Sequence, residues 1–166
     1  MNHVSAAHAF PSTSRPRMPW LLLGGLTVAC LDLAFASAYW AQFGTPPTRV
    51  LQSIAAWMLG PSAFDGGLPT ALLGALAYGL LMWGVVAAYH AASRRWALLR
   101  ERPVLCGAIH GALAYVLVLE IAVPLLGAAG PAPRQLDWTL ACVVAYVFLI
   151  GIPAAQFSRL ARRQRH

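Results

Sequence analysis

Hydrophobic residues occur along this chain in four long runs, separated by short segments that are polar or rich in glycine and proline. The runs cover residues 20–42, 68–92, 104–127 and 138–156. About 20 apolar residues in a helix cover the roughly 30 Å of hydrocarbon in a bilayer. The pattern therefore predicts an all-α fold, an integral membrane bundle of four transmembrane helices that forms one domain over residues 20–158.

The first run has features of two kinds of segment. Arg15 and Arg17 precede it, and Ala36-Ser37-Ala38 resembles a small-residue cleavage site, as in a secretory signal peptide. Asp32 interrupts the run, however, and the run is as long as a full span. We therefore expect it to remain in the protein as the first transmembrane helix.

A shorter amphipathic stretch lies between the first two runs, at residues 48–59. Its apolar residues recur at helical spacing, whereas its polar residues lie elsewhere around the helix. The apolar set is Val50, Leu51, Ile54, Ala55, Trp57 and Met58, and the polar set is Arg49, Gln52 and Ser53. Pro47 before the stretch and Gly60-Pro61 after it are ordinary start and stop signals. The stretch is too short to span a bilayer, so we expect a helix on the outer side that lies in the interface or dips into the protein.

The composition also indicates a membrane protein. Apolar residues make up 59% of the chain and charged residues only 10%, whereas about 25% of a soluble domain is charged. A net charge of +7 would suit nucleic acid, because basic chains neutralise phosphates. The arginines flank the apolar runs, however, as membrane topology requires. We therefore expect the lipid bilayer, and not nucleic acid, as a partner.

The distribution of the arginines predicts the orientation in the membrane. Two precede the first run, four lie between the second and third runs, and four follow the fourth run. Only Arg49 and Arg134 remain for the other side. The positive-inside rule then places both termini in the cytoplasm. Residues 1–19 are accordingly predicted to form a disordered cytoplasmic tail, and residues 159–166 a basic cytoplasmic tail.

Few residues in the chain point to chemistry. Cys30, Cys106 and Cys142 fall singly in three different runs, without a C-x-x-C pair or a histidine at ligand spacing. No nucleotide-binding, serine-hydrolase or zinc-protease motif is present. We therefore expect no metal, no cofactor and no enzyme activity.

The polar residues inside the runs are the candidate functional residues. Asp32 lies near the middle of the first run and Glu120 in the outer half of the third. A charged acid at a helix centre costs about 2.5–3.5 kcal/mol on insertion scales, so such an acid usually finds a partner or water. Each can be a neutral acid bonded to another helix, a carboxylate paired with Arg49, or a proton-exchanging group. His110 lies ten residues before Glu120 and is either a neutral imidazole within the bundle or a proton relay.

Two pairs of small residues are candidates for close helix packing. Gly107 and Gly111 form a G-x-x-x-G pair in the third run, and Ala75 and Gly79 form a similar pair in the second. Such pairs let the backbones of two helices approach closely. The pattern does not say whether the neighbouring helix belongs to the same chain, to a second copy or to another membrane protein.

The segment between the first two runs resembles a known family. It contains Arg49-Val50-Leu51-Gln52-Ser53-Ile54-Ala55, then Leu59-Gly60, Ala63-Phe64 and Gly66-Gly67. These residues resemble a signature of uncharacterised small four-span bacterial inner-membrane proteins. Arg102 to Gly107 and Val123-Pro124-Leu125 are similar to the third span of that family. The resemblance implies four spans and a bacterial cytoplasmic membrane, but no activity. It also implies a functional outer segment whose residues are Arg49, Gln52, Ser53, Gly60, Phe64, Gly66 and Gly67.

Two functions are compatible with this pattern. The first is a non-enzymatic accessory or structural membrane component, in which the buried acids belong to a helix-packing network and the Gly107/Gly111 face binds a partner or a second copy. The second is a small proton- or cation-linked transporter or channel that uses Asp32 and Glu120, with His110 near its cytoplasmic mouth. Four spans are few for a monomeric carrier, so the second function also requires a homo-oligomer.

Overall fold

A computed structural model describes residues 18–128 and 135–163. Most of the predicted N-terminal tail, the tip of the loop before the fourth run and the last three residues lie outside this range. The described helices are α1 (Met18–Ala41), α2 (Pro47–Leu59), α3 (Gly67–Arg95), α4 (Leu98–Glu101), α5 (Pro103–Tyr115), α6 (Val123–Leu126), α7 (Leu136–Ala145) and α8 (Ile152–Arg163). A short 3₁₀ helix covers Gly60–Phe64, and π-helical segments at Val116–Ala122 and Tyr146–Gly151 join α5 to α6 and α7 to α8.

Four of these helical stretches are long and apolar enough to cross a membrane. They are Trp20–Ala41, Gly67–Arg95, Pro103–Leu125 and Leu136–Arg163, here called spans one to four. Each span exposes large apolar side chains to its surroundings, including Leu26, Leu76, Leu113 and Phe148. The predicted all-α bundle of four membrane helices with a short amphipathic helix between spans one and two is therefore confirmed for the described part of the chain. Lipid covers the exposed apolar surface.

The two ends of the bundle differ in charge. The end of the bundle next to α2, here called the α2 end, contains the end of span one, the start of span two, the end of span three and the start of span four. Four of the chain's five acidic residues lie in that half, namely Asp32, Asp65, Glu120 and Asp137. The opposite end, here called the basic end, carries Glu101 and the arginines Arg94, Arg95, Arg100, Arg102, Arg159, Arg162 and Arg163.

Span four packs against each of the other three spans, and its largest contact is with span three. A Cβ atom added at Gly111 would lie 2.1 Å from the carbonyl oxygen of Tyr146, and one at Gly107 would lie 2.7 Å from that of Gly151. The predicted Gly107/Gly111 face therefore lies against span four of the same chain, and a partner could use it only if the bundle opened.

The other predicted small-residue pair is not at a close contact. A Cβ atom at Gly79 would meet nothing within 4 Å, and Ala75 is only half-buried. The close approach in span two occurs instead at Gly74, where an added Cβ would lie 2.0 Å from the carbonyl oxygen of Leu51 in α2. The i, i+4 pattern predicts that small residues share a face, but the rotation of the helix decides which face meets a neighbour.

Helix α2 lies beside span two. Gly74 is seven residues into that span, which corresponds to about 10 Å along the helix axis. The apolar side of α2 is buried, with Ile54 7% and Ala55 0% exposed, while Met58 remains exposed. Helix α2 therefore forms part of the bundle wall at the α2 end.

Both π-helical segments end just before a proline. The first is followed by Pro124 and the second by Pro153. A proline donates no hydrogen bond to the carbonyl four residues earlier, and its ring crowds that carbonyl. A wider turn accommodates the misfit, and π turns are often found at functional sites. A proline near the end of a helix can bend or fray it, but in span three the helix widens before Pro124 and continues to Leu126.

Candidate functional site

A cavity of about 450 Å³ lies inside the α2 end of the bundle. Spans one, three and four and helix α2 form most of its wall, and span two contributes Tyr78. The cavity lies beside the half of span three from Val116 to Leu126. This half makes few contacts with the other spans in the described chain. The volume lies within the range of about 300–1,000 Å³ that is typical of small-molecule sites.

Both predicted acids line this one cavity. Asp32 comes from span one and is 8% exposed. Glu120 comes from span three and is half-buried. The tertiary structure therefore brings to one site two carboxyl groups that lie 88 residues apart in the sequence.

The carboxyl group of Asp32 accepts a short hydrogen bond from the hydroxyl of Tyr78. Tyr78 belongs to span two and is 4% exposed. This bond joins spans one and two and satisfies one oxygen of an acid that would be costly to leave without a partner in the membrane. Of the three roles considered for Asp32, the contacts match an acid bonded to another helix.

Glu120 is bonded to a tyrosine of its own span. The hydroxyl of Tyr115 donates to Oε1 of Glu120 at 2.5 Å. In a regular α-helix residues five apart would lie about 140° apart around the axis, but the π-helical segment Val116–Ala122 brings them to the same side. The widened turn thus directs the carboxyl group of Glu120 toward the cavity, and the bond itself adds nothing to packing between helices.

A third tyrosine lies between these two pairs. Tyr146 of span four is 2% exposed and lines the cavity. Its ring meets the ring of Tyr115 edge to face, with centroids 5.7 Å apart. Its hydroxyl lies near Tyr78 and Asp32, yet it makes no hydrogen bond of ordinary geometry within the described chain. A buried hydroxyl in that condition is uncommon, and one adjoining a cavity can bind a ligand or a water molecule.

Three tryptophans contribute to the wall of the cavity: Trp40, Trp57 and Trp138. The ring centroids of Trp40 and Trp138 are 5.2 Å apart, and those of Tyr39 and Trp138 are 4.6 Å apart. The hydroxyl of Tyr39 also donates to Asp137 at 2.7 Å, which ties span one to the start of span four. The site therefore combines two acids with several aromatic rings.

Arg49 and His110 lie away from the cavity. The guanidinium of Arg49 lies over the ring of Phe64, 4.6 Å from its centroid, on the exposed side of α2. The contact of Arg49 is thus a cation–π contact, and within the described residues the structure does not show the alternative in which Arg49 pairs with Asp32 or Glu120. His110 uses Nε2 to contact the carbonyl oxygen of Val85 at 3.0 Å and packs edge-on against Tyr89. Because a carbonyl only accepts, Nε2 carries the proton in this contact.

The remaining residues of the predicted outer segment shape the connection between α2 and span two. Gln52 is buried and donates to the carbonyl of Gly67 at 3.0 Å. Gly60 and Gly67 have φ angles of 66° and 60°, a region that side chains other than glycine rarely adopt. An added Cβ at Gly66 would lie 2.1 Å from Thr70. Of the segment's polar residues, only Ser53 lines the cavity.

A second polar cluster closes the basic end. Arg162 donates to the hydroxyls of Ser93 and Ser158, and both serines are fully buried. His90 contacts Ser158 through Nδ1 at 3.2 Å. These bonds join spans two and four, and the cavity lies at the opposite end of the bundle.

Three tyrosines of the cavity were not predicted from the sequence. Tyrosines in membrane proteins are usually expected in the belts at the two interfaces, whereas Tyr78, Tyr115 and Tyr146 lie well inside their spans. Their position in the middle of apolar runs could have identified them, because a buried hydroxyl needs a polar partner. Among the described residues, no group of three or more His, Cys, Asp or Glu side chains has the geometry of a metal site.

Comparison of the chain with protein-family models, with curated proteins and with solved structures finds no match. The family resemblance described from the sequence therefore stays a prediction, and the functional argument rests on the cavity.

Proposed function

We propose that this protein is a small non-enzymatic membrane transporter in which a cation or a proton occupies the cavity between Asp32 and Glu120. The observation that carries the proposal is the convergence of two acids, from spans one and three, on one cavity. Ionisable residues inside membrane spans are costly and frequently mark ion pathways.

The charge distribution supports the same function. The acids are concentrated in the half of the bundle that contains the cavity, and the arginines at the opposite end. A concave site with one sign of charge and walls of low dielectric constant raises the local concentration of oppositely charged ions. A cation would therefore enter the cavity from the α2 end, and the cluster around Arg162 would have to open for release at the basic end.

A structural role is the second candidate, and the Asp32–Tyr78 bond favours it. In that case the acids would hold the bundle together and the protein would act as an accessory component of a larger membrane assembly. This role accounts for Asp32, whose partner Tyr78 lies on span two. The transporter proposal accounts for the position of both acids on one cavity.

We further propose that the protein resides in a bacterial cytoplasmic membrane with both termini in the cytoplasm. The arginine distribution supports this orientation, since basic residues are concentrated in cytoplasmic segments. We also propose that the transporter is a homo-oligomer, because four spans are few for a carrier. The contact between copies would use lipid-facing surface, since the Gly107/Gly111 face already packs against span four.

The transport proposal is tested in liposomes that contain the purified protein and a pH-sensitive dye, with a sodium or potassium gradient across the membrane. We expect the cation gradient to drive a change in internal pH. Glu120→Gln should abolish that change while preserving the fold. Asp65→Asn should transport normally, because Asp65 is an exposed acid of the α2 end that does not line the cavity. Wild-type transport by folded Glu120→Gln and Asp32→Asn variants would contradict the proposal.

A further inference from the structure

The size of the cavity and the chemistry of its wall restrict which cation fits in it. The cavity is large, two sides of it carry acids, and three tryptophans and several tyrosines form its walls. These features bear on which cation it accepts. The inference drawn from them rests on the proposed transport function and names its substrate class.

The cavity is much larger than a single inorganic ion. A volume of about 450 Å³ exceeds by an order of magnitude the roughly 30 Å³ that one water molecule occupies in the liquid. A bare sodium or potassium ion would occupy only a small fraction of it. The space instead suits an organic molecule with on the order of ten to twenty heavy atoms, which is the usual occupant of pockets of this size.

The wall of the cavity offers few oxygen ligands and many aromatic rings. Hard inorganic cations such as calcium prefer about six to eight oxygen ligands in a close shell. The cavity wall offers two carboxyl groups on different spans, and most of the rest is aromatic or aliphatic. Rings of tryptophan and tyrosine attract organic cations through their negative faces, and quaternary ammonium ligands are commonly bound in this way. Such a wall stabilises a diffuse organic charge better than a compact hydrated ion.

We propose that the substrate of the cavity is an organic ammonium cation, held electrostatically by Asp32 and Glu120 and enclosed by Trp40, Trp57 and Trp138. The hydroxyl of Tyr146 is buried and has no hydrogen-bond partner of ordinary geometry in the described chain, and we expect a small rotation of its ring to bring it to the bound cation as one further contact. The hydroxyl accepts a hydrogen bond from a primary or secondary ammonium. A quaternary ammonium has no N–H group and does not use it.

The test uses benzyltrimethylammonium and benzylammonium as probes, with sodium ions and benzyl alcohol as controls. Binding to the protein in lipid nanodiscs is measured by isothermal titration calorimetry. We expect both organic cations to bind, and both sodium and benzyl alcohol to bind at least tenfold more weakly than either of them. Glu120→Gln and Trp57→Leu should each weaken benzyltrimethylammonium binding roughly five- to tenfold.

Two matched variants sharpen the result. Trp96→Leu alters an exposed tryptophan at the basic end and should bind both probes normally. Tyr146→Phe should weaken benzylammonium several-fold and leave benzyltrimethylammonium nearly unchanged. Equal effects of Tyr146→Phe on both probes would show that the Tyr146 hydroxyl does not bond to the ammonium group.

The outcomes separate the substrate from the transport function. If sodium or protons are transported in a Glu120-dependent way but neither organic cation binds, the substrate class is wrong and the transport proposal stands. If the organic cations bind equally well to Glu120→Gln and Trp57→Leu, they bind outside the cavity and the inference fails. If no cation binds or is transported, both proposals fail.

Discussion

At the residue scale, each of the two acids inside the membrane spans has a tyrosine partner. Asp32 is bonded to Tyr78 and Glu120 to Tyr115. A carboxyl group in hydrocarbon without such a partner would be expensive. Both acids could be recognised from the sequence as functional candidates, since charged residues inside long apolar runs are rare. Their tyrosine partners could not, because the partner of a side chain depends on which helices are neighbours.

The Asp32–Tyr78 bond leads to a stability prediction. Tyr78→Phe removes the donor and leaves a buried carboxyl oxygen unsatisfied, so we expect a loss of about 1–3 kcal/mol in the free energy of unfolding. The measurement is reversible unfolding in mixed micelles with increasing sodium dodecyl sulfate. Tyr39→Phe is the matched control, because it also removes a tyrosine–carboxylate bond, but an exposed one. Equal losses in the two variants would show that burial does not strengthen the Asp32–Tyr78 contact.

At the element scale, the helices of spans three and four are irregular beside the cavity. The π-helical segment in span three orients Glu120, and the one in span four begins at Tyr146, beside the cavity. The prolines that follow them were visible in the sequence, but a proline can kink, fray or widen a helix. The tertiary structure shows that both helices widen. The contact between spans three and four was likewise suggested by Gly107 and Gly111, whereas Gly151 was not recognised as their counterpart.

The glycine contact gives a prediction about helix packing. In Gly111→Ala, the added Cβ would overlap the backbone of Tyr146, so spans three and four must separate. We expect a loss of about 1–3 kcal/mol in unfolding free energy, as for other overpacked interiors. Gly79→Ala is the control, because its Cβ would meet nothing within 4 Å and alanine favours the helix. Both variants are measured by the same unfolding assay, and a destabilised Gly79→Ala with an unaffected Gly111→Ala would contradict the packing described here.

At the scale of the whole molecule, charge is divided between the two ends of the bundle. Four of the five acids and the cavity lie at the α2 end, and seven of the eight arginines in the described part of the chain lie at the basic end. This division has two physical consequences. It supports the proposed orientation through the positive-inside rule, and it favours cations in the cavity. One charge pattern therefore supports both the proposed orientation and the proposed transport.

The orientation can be measured with single cysteines in a chain whose native cysteines are replaced. Ser62→Cys reports on the α2 end and Ala97→Cys on the basic end, and both positions are exposed. In intact bacterial cells, a membrane-impermeant maleimide should label the cysteine at position 62 and not the one at 97. Permeabilised cells should show labelling at both positions. The reverse pattern in intact cells, or equal labelling at both sites, would overturn the proposed orientation.

The sequence by itself determined the four membrane helices, the short amphipathic helix between the first two, and the asymmetry of charge. These features follow from the length of apolar runs, the helical period and the count of arginines, which are properties local to the chain. The tertiary structure alone decided that Asp32 and Glu120 share a cavity, that Arg49 contacts Phe64, and that Gly74, not Ala75 and Gly79, makes the close approach to α2. Those outcomes depend on how each helix is rotated about its axis. In a chain where lipid and protein interior are both apolar, hydrophobic periodicity carries little information about that rotation.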